Sequence, residues 1–226
     1  METKMIEYAR PDGQTASSYC VTPWGERKGP AVVVIQESWG LNAQIKGVAD
    51  RLGKAGYRTI VPDLFRGKLP KDSDEASHIM SGLDWDDAVE QDIRGAIQHL
   101  RKTADGPVAV MGFCMGGALA IIAGTRLSDI EAGVCFYGIP PASKADPSRL
   151  RAPMQFHFAQ HDDWCTPEAV DQLERGLKQG SVTFEVHRYD AKHAFTNEAR
   201  PEVYDPSAAA KAWERTLQFL LTKLRD

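Results

Sequence analysis

The chain has 226 residues, of which 42% are hydrophobic and 26% charged, and its formal net charge is -4. This length and composition predict one α/β domain over residues 1–226. The slight negative charge excludes a strongly basic surface, so we expect neither nucleic acid nor a membrane as a partner. The N-terminus lacks an apolar signal segment and no apolar run is long enough to span a bilayer, which predicts a cytoplasmic protein.

Strand and helix patterns alternate along the chain. Extended segments are predicted at 4–9, 15–22, 31–35, 58–61, 108–111, 131–137, 153–158 and 182–188. Helical periodicity predicts helices at 43–55, 86–102, 115–125, 167–178 and 206–224. Segment 63–84 has no clean period and predicts a loop with a short helix over a pocket. The alternation predicts a mostly parallel central sheet with helices on both faces.

The segment Gly112–Gly117, with sequence GFCMGG, places Cys114 between an apolar strand and an apolar helix. A reactive residue on such a sharp turn needs glycines beside it, because the turn is strained and the backbones come close. A cysteine in an apolar run is by itself more often inert core. The glycines on both sides, at a strand-to-helix junction, favour Cys114 as a nucleophile.

Cys20 and Cys135 are expected to be structural residues without a catalytic role. All four are expected to be reduced thiols, because their spacing matches no disulfide framework and no secretory signal precedes them. Cys135 lies in an apolar run, which predicts that it is a small buried core residue. Cys20 is predicted to be a strand residue near the N-terminus.

Polar groups also follow other predicted strands, at 37–40, 161–163 and 192–195. In a parallel sheet, reactive groups gather at the carboxyl ends of the strands. His193 is predicted to take the thiol proton and later return one to the leaving group. A carboxylate on the other imidazole nitrogen would fix the tautomer. Asp162 and Asp163 compete for that role, and the residues alone leave the choice open.

Several separated motifs occur in one order: QESWG at 36–40, PDLF at 62–65, GFCMGG at 112–117, FYG at 136–138, FHF at 156–158 and HAF at 193–195. This set resembles the dienelactone hydrolase (carboxymethylenebutenolidase) family of α/β-hydrolases over nearly the whole chain. The resemblance implies an α/β-hydrolase fold with a minimal cap. It also implies hydrolysis of small esters or lactones through an acyl-thioester on a Cys-His-Asp triad, without a cofactor or a metal.

The resemblance assigns three further roles. It makes Asp162 the triad acid, with Asp163 as second choice. It places Glu37 near the cysteine, where it helps to control the ionisation of the thiol. A carboxylate beside a thiol disfavours the thiolate, so Glu37 must swing away or become protonated when substrate binds. The backbone N–H groups of Met115 and Ser38 are the expected oxyanion hole.

The sequence departs from the family at the substrate. Family members that act on dienelactone hold its carboxylate with two arginines, whereas Asn197 stands at one of these positions and segment 69–85 has no arginine. Arg66 and Arg200 cannot be matched to those roles. The expected pocket is therefore more apolar and suits a neutral ester or lactone. Its predicted wall residues are Trp39, Met80, Trp85, Tyr137 and Phe195.

Three rival interpretations stay open. His157, His161, Asp162, Asp163 and Cys165 form a possible metal cluster, although no closed ligand set with zinc-type spacing exists. A class I amidotransferase-like enzyme also has a cysteine elbow, but it expects a glutamate two residues after its histidine. A non-catalytic binding protein for a small apolar ligand is the third. We expect a monomer and leave open whether segment 66–85 closes as a lid.

Overall fold

The computed structural model describes residues 1–23 and 28–224, and within them eight strands form one sheet. The sheet order is β1-β2-β4-β3-β5-β6-β7-β8. Strand β2 pairs antiparallel with β1 and β4, and all other pairs are parallel, as predicted. The strands are β1 Glu2–Ala9, β2 Thr15–Thr22, β3 Ala31–Ile35, β4 Arg58–Pro62, β5 Val108–Phe113, β6 Ala132–Phe136, β7 Met154–His161 and β8 Phe184–Lys192.

Helices alternate with the strands. They are α1 Ala43–Lys54, α2 Ser73–Ser81, α3 Trp85–Asp87, α4 Arg94–Ala104, α5 Met115–Arg126, α6 Pro167–Leu177 and α7 Pro206–Lys223. The helix predicted at 86–102 is divided, because a π-helical turn at Ala88–Ile93 separates α3 from α4. The short helix predicted within 63–84 is α2, which has a single fully buried residue, Ala76.

Strands β7 and β8 run further than the apolar pattern predicted. Their pairing continues past a register shift to the pair His161 and Lys192. Of the residues that extend β7, Ala159 is buried but Gln160 and His161 are exposed and polar, so no apolar alternation marks the end of the strand. Backbone hydrogen bonding, which composition does not reveal, therefore decides where these two strands end.

Apolar cores lie on both faces of the sheet. Helices α4, α5 and α6 bury Leu100, Leu119 and Leu173 on one face. Helices α1 and α7 bury Leu52 and Phe219 on the other. The described helices include none that is both long and apolar enough to cross a membrane.

The parallel strands bring four predicted residues to one edge of the sheet. β3, β5, β7 and β8 end one or two residues before Glu37, Cys114, Asp162 and His193, respectively. All four side chains line the same cavity. The topology therefore assembles one site from positions far apart along the chain.

Candidate active site

The turn from β5 into α5 holds Cys114 in a conformation that few side chains adopt. Its φ is 54° and its ψ is -118°, a region that favours glycine. The glycines let the turn close. A Cβ atom on Gly112 would lie 1.9 Å from the Gly116 carbonyl oxygen, and one on Gly138 would lie 2.3 Å from that of Cys114. Strained backbone of this kind concentrates at functional sites.

Asp162 and His193 form a short hydrogen bond across the ends of β7 and β8. Nδ1 of His193 lies 2.7 Å from Oδ2 of Asp162. The other carboxylate oxygen accepts the backbone N–H groups of Trp164 at 2.7 Å and Cys165 at 2.9 Å. Burial acts to raise the pKa of Asp162, but His193 and these N–H groups hold it below its usual value. Asp162 therefore stays an anion beside the imidazole.

The neighbouring Asp163 occupies a different environment. Its side chain is exposed and lines the cavity wall. The hydrogen bond to the imidazole belongs to Asp162 alone of the two. Of the two aspartates, Asp162 is therefore the one in contact with His193.

Burial and the neighbouring groups have opposite effects on the pKa of His193. Burial disfavours its charged form, yet the hydrogen bonds and charges of Asp162 and Cys114 outweigh burial and raise the pKa of His193 to about 10. The ring of Tyr137 lies 5.1 Å from the imidazole, and the ring of Trp164 lies 5.9 Å away. The site therefore favours a protonated imidazole at neutral pH.

Glu37 is buried behind the cavity and is held by neutral donors. The Tyr137 hydroxyl donates to Oε1 at 3.0 Å, and Nδ2 of Asn197 donates to Oε2 at 2.8 Å. Burial raises the pKa of Glu37, and these two hydrogen bonds offset only part of that effect. Residue Asn197, at which the sequence lacks the family's arginine, thus contacts the carboxylate of Glu37.

Two more strained residues lie beside the site. Tyr137 has a φ of 38° and Ala194 a φ of 62°, and both side chains are buried. Tyr137 follows β6, and its hydroxyl also lies 2.6 Å from Oγ1 of Thr196. Together with Cys114, three positive-φ residues other than glycine therefore surround the imidazole in the described chain.

The two predicted oxyanion donors lie next to the reacting groups in sequence. Met115 is the first residue of α5, directly after Cys114. A helix begins with backbone N–H groups that have no partner within the helix, so this position is favourable for a negative charge. Ser38 lies on the cavity wall beside Glu37.

A cavity of about 890 Å³ opens over Cys114 and His193. Trp39 and Met80 lie in its wall, as the sequence predicts, and Met80 reaches it from α2. The wall also includes Ser73, Ala76 and Ser77 of α2, together with Gln160, His161, Asp163, Trp164, Thr166, Pro167, Glu168, Lys192, Arg200 and Val203.

Three predicted wall residues lie elsewhere. Tyr137 and Phe195 are fully buried in the core behind the site, where their rings pack 5.6 Å apart. Trp85 packs against the core on the α4 and α5 face. The sequence shows that these residues are aromatic but does not reveal their direction. Here the structure corrects the sequence-based assignment.

The absence of the family's two arginines predicts an apolar pocket, but the cavity wall contains several charged side chains. Arg200 lies in the wall, and its guanidinium carbon is 5.7 Å from the centre of the Trp39 ring. Lys192 and His161 line the same cavity. Arg66 instead bonds Asp92 at 2.9 Å and is absent from this wall. The wall therefore combines two tryptophans with charges of both signs.

The proposed metal cluster is dispersed. His157 is fully buried within β7 and lies 2.8 Å from the Tyr189 hydroxyl, whereas His161 is exposed and bonds Asp190 at 2.6 Å. Over residues 1–23 and 28–224, no three His, Cys, Asp or Glu side chains come together in a form that could hold a metal ion.

All four cysteines are free thiols, but their environments differ. Cys114 is half-buried in the cavity wall. Burial raises the pKa of Cys135 to about 12, and its thiol donates a hydrogen bond to the Gly138 carbonyl oxygen. Burial also raises the pKa values of Cys20 and Cys165. The exposed position on the strained turn distinguishes Cys114 from the other three.

Two residues of the site were missed at the sequence level. Asn197 was noted only as a departure from the family pattern, and its contact with Glu37 joins residues 160 positions apart. Trp164 was not singled out, although it stands directly after Asp162 and Asp163 in the sequence. Its position between the predicted acid and a predicted helix was the available signal.

The fold and these contacts define a hydrolase of the α/β-hydrolase class. The sequence profile of the dienelactone hydrolase family matches residues 16–224. The chain therefore belongs to the dienelactone hydrolase family and is a hydrolase of small esters or lactones.

Related proteins match the chain over nearly its full length. The protein named usf from Aquifex pyrophilus is 33% identical over 96% of each chain. Carboxymethylenebutenolidase 1 of Cupriavidus pinatubonensis is 29% identical over 98% of this chain and 97% of its own length. A dienelactone hydrolase-like promiscuous phosphotriesterase from metagenomic libraries has a TM-score of 0.86 at 21% identity and covers 99% of each chain.

Proposed function

We propose that the chain cleaves esters or lactones by nucleophilic catalysis, with Cys114 as nucleophile, His193 as acid and base, and Asp162 as the group that orients the imidazole. The observation that carries this proposal is the hydrogen bond of 2.7 Å between His193 and Asp162, beside a cysteine on a strained turn. A nucleophile, a base and an orienting carboxylate in this order form the arrangement that activated nucleophiles require.

The raised pKa of His193 supports an imidazolium at rest, and the thiolate of Cys114 is the form that reacts. The Cys114 thiolate attacks the carbonyl carbon, and the carbonyl π electrons move onto oxygen. The N–H groups of Met115 and Ser38 stabilise that oxyanion. When the intermediate collapses, the C–O bond to the leaving group breaks and the imidazolium gives its proton to the departing oxygen. The products of this half-reaction are an alcohol and an acyl-thioester on Cys114.

Deacylation uses the same groups in reverse order. Neutral His193 removes a proton from water, and the resulting hydroxide attacks the thioester carbonyl. The tetrahedral intermediate expels the Cys114 thiolate, and the imidazolium restores the resting pair. A lactone gives one hydroxy acid instead of an acid and an alcohol, because its acyl and alkoxy parts are joined.

Glu37 is proposed to adjust the charge balance of this pair. Its carboxylate lies near enough to His193 for the two charges to interact. An ionised Glu37 stabilises the imidazolium but opposes a thiolate, whereas a neutral Glu37 does neither. The buried position and the raised pKa support a change of protonation as the means of control, without a swing of the side chain.

The proposed compartment is the cytoplasm, because four free cysteines suit a reducing environment. The proposed substrate is a dissolved small molecule that fits the cavity of about 890 Å³. Activity as a monomer stays a prediction, which light scattering on the purified protein checks.

The test compares Cys114→Ala and Cys114→Ser with wild type on p-nitrophenyl acetate. We expect Cys114→Ala to lower kcat/KM by about 10³-fold or more. Mass spectrometry of acid-quenched wild type should find one acetyl group on the peptide that contains Cys114. Cys20→Ala is the matched control, since Cys20 lies on β2 outside the cavity, and it should keep the wild-type rate. Equal rates in Cys114→Ala and wild type would instead support the non-catalytic binding protein.

A further inference from the structure

Trp164 is an exposed aromatic residue held on a rigid support. Its indole is 63% exposed, although tryptophan is among the most buried residue types on average. The backbones of Trp164 and of the residue after it are anchored, because Oδ1 of buried Asp162 accepts the N–H groups of both Trp164 and Cys165. The side chain of Cys165 lies in the core. The turn therefore fixes the backbone of Trp164 and presents its indole to the cavity.

The indole lies beside the proton-transfer group. The centres of the Trp164 and His193 rings are 5.9 Å apart, and their planes differ by 33°. Nδ1 of the imidazole is bonded to Asp162, so Nε2 is the nitrogen that can give a proton to a leaving group. A departing oxygen must come within hydrogen-bond distance of that nitrogen. The group attached to this oxygen consequently lies next to Trp164.

The second tryptophan of the wall differs in its surroundings. Trp39 is half-buried, and the Arg200 guanidinium lies 5.7 Å from the centre of its ring. Trp39 also follows Ser38, which places it on the oxyanion side of the site. Of the two tryptophans, Trp164 is the one that is positioned to contact the leaving group.

Carboxylates border the surface around Trp164. Asp163 precedes it, and Glu168 in the first turn of α6 lines the same cavity. Both side chains are exposed, and a carboxylate at either position repels an anion that approaches the indole. The imidazolium of His193, whose ring centre lies 5.9 Å from that of Trp164, is already paired with Asp162. The two exposed carboxylates therefore favour a neutral group beside the indole.

We propose that Trp164 is the specificity-determining residue for the leaving group and selects esters of neutral aromatic alcohols. An aromatic ring on the departing oxygen would pack against the indole in an offset or tilted arrangement. The proposal rests on the proposed function, because it uses His193 as the acid that protonates the leaving group. It adds a substrate class, aryl esters, to that chemistry.

The test compares phenyl acetate with hexafluoroisopropyl acetate, an aliphatic ester whose alcohol has similar acidity. Both esters form the same acetyl-enzyme, so only acylation depends on the alcohol. Trp164→Ala should lower kcat/KM for phenyl acetate relative to the aliphatic ester by roughly tenfold, the size of an aromatic pair contact. Trp164→Phe should restore most of the ratio. Met5→Ala is the control, because Met5 is another exposed apolar residue, which lies on β1 outside the cavity.

A second arm tests charge with 3-carboxyphenyl acetate. Wild type should use it less well than phenyl acetate, and Asp163→Asn should reduce that difference. A ratio of aryl to aliphatic kcat/KM that Trp164→Ala leaves unchanged would overturn the proposal. An equal loss of kcat for both esters would also overturn it, because it would mean that Trp164 positions His193 instead of binding the leaving group.

The failure of the proposed function has a different signature. In that case wild type would show no acetyl group on Cys114 after mixing with either ester. If the acetylated peptide forms at wild-type yield in Trp164→Ala, the catalytic groups are intact. A change in the ratio of aryl to aliphatic kcat/KM then results from the lost contact between Trp164 and the leaving group.

Discussion

Asp162 and Glu37 are carboxylates with the same exposed fraction and opposite titration behaviour. Each is 4% exposed and follows a strand of the sheet. The pKa of Asp162 lies below its usual value, and that of Glu37 lies above it, with burial as the largest influence on both. Glu37 lies deeper in the protein, and the partners of the two carboxylates also differ. Asp162 bonds His193 and two backbone N–H groups, whereas Glu37 bonds a phenol and an amide.

This contrast shows that burial alone does not determine the charge of a carboxylate in this site. A cationic partner and backbone dipoles make an ion favourable, whereas neutral donors do not fully replace water. The same cavity therefore contains one permanent anion and one carboxyl group that can change its charge. The first suits the fixed task of orienting an imidazole, and the second suits the adjustment of a neighbouring thiolate.

The largest effect is expected when Asp162 loses its charge. Asp162→Asn should lower kcat by about 10⁴-fold, because the amide no longer fixes the productive tautomer or stabilises the imidazolium. Steady-state kinetics on p-nitrophenyl acetate measure this loss. The thermal midpoint of the variant shows whether it remains folded.

The neighbouring aspartate is the matched control for that experiment. Asp163→Asn should keep kcat within about twofold of wild type, since an exposed carboxylate outside the hydrogen bond contributes little. Equal losses in the two variants would contradict the assignment of Asp162 as the orienting group. A larger loss in Asp163→Asn would reassign the acid.

Much of this site could be predicted because local signals are strong there. Strand β3 has the predicted bounds, and the glycines beside Cys114 indicated the strained turn that its φ of 54° shows. The residue types did not distinguish Asp162 from Asp163, because both stand after the same strand. That choice required the family resemblance first and the hydrogen bond to His193 afterwards.

Side-chain direction and distant contacts could not be predicted. Tyr137 and Phe195 are aromatic residues beside the site, and only the fold shows that they point into the core. The bond between Glu37 and Asn197 depends on two loops that the sheet brings together. Composition and periodicity contain no information on such pairs. For this reason the charge of Glu37 was open until its partners were known.

The partner of Asp162 gives the next prediction. The pKa of His193 is raised from 6.5 to about 10, so its charged form stabilises the folded state. This contribution is complete below pH 6.5 and is lost as the pH rises through about 10. NMR titration of the ring should find the proton retained well above neutral pH in wild type. Asp162→Asn should move the titration towards its ordinary value, and an unchanged titration would contradict the pairing.

The smallest expected effect is the contribution of Glu37 to the pH dependence of stability, which is opposite in sign to that of Asp162. The pKa of Glu37 is raised above 4.5, so its neutral form is the one that the folded state favours. Its contribution to stability is complete below pH 4.5 and is lost as the pH rises through the higher folded value. The contribution of Asp162 has the opposite sign, because it is present above pH 3.8 and is lost as the pH falls.

Chemical denaturation of wild type and Glu37→Gln between about pH 4 and pH 8 isolates this contribution. The stability of wild type relative to the variant should decrease as the pH rises above 4.5. Loss of the hydrogen bond to Asn197 would lower the free energy of unfolding of the variant by the same amount at every pH. The pH dependence of the difference in unfolding free energy between wild type and variant therefore reports the titration of Glu37 alone. A difference that increases with pH would mean that Glu37, like Asp162, is stabilised as an anion. The proposed control of the thiolate by a change of protonation would then be wrong.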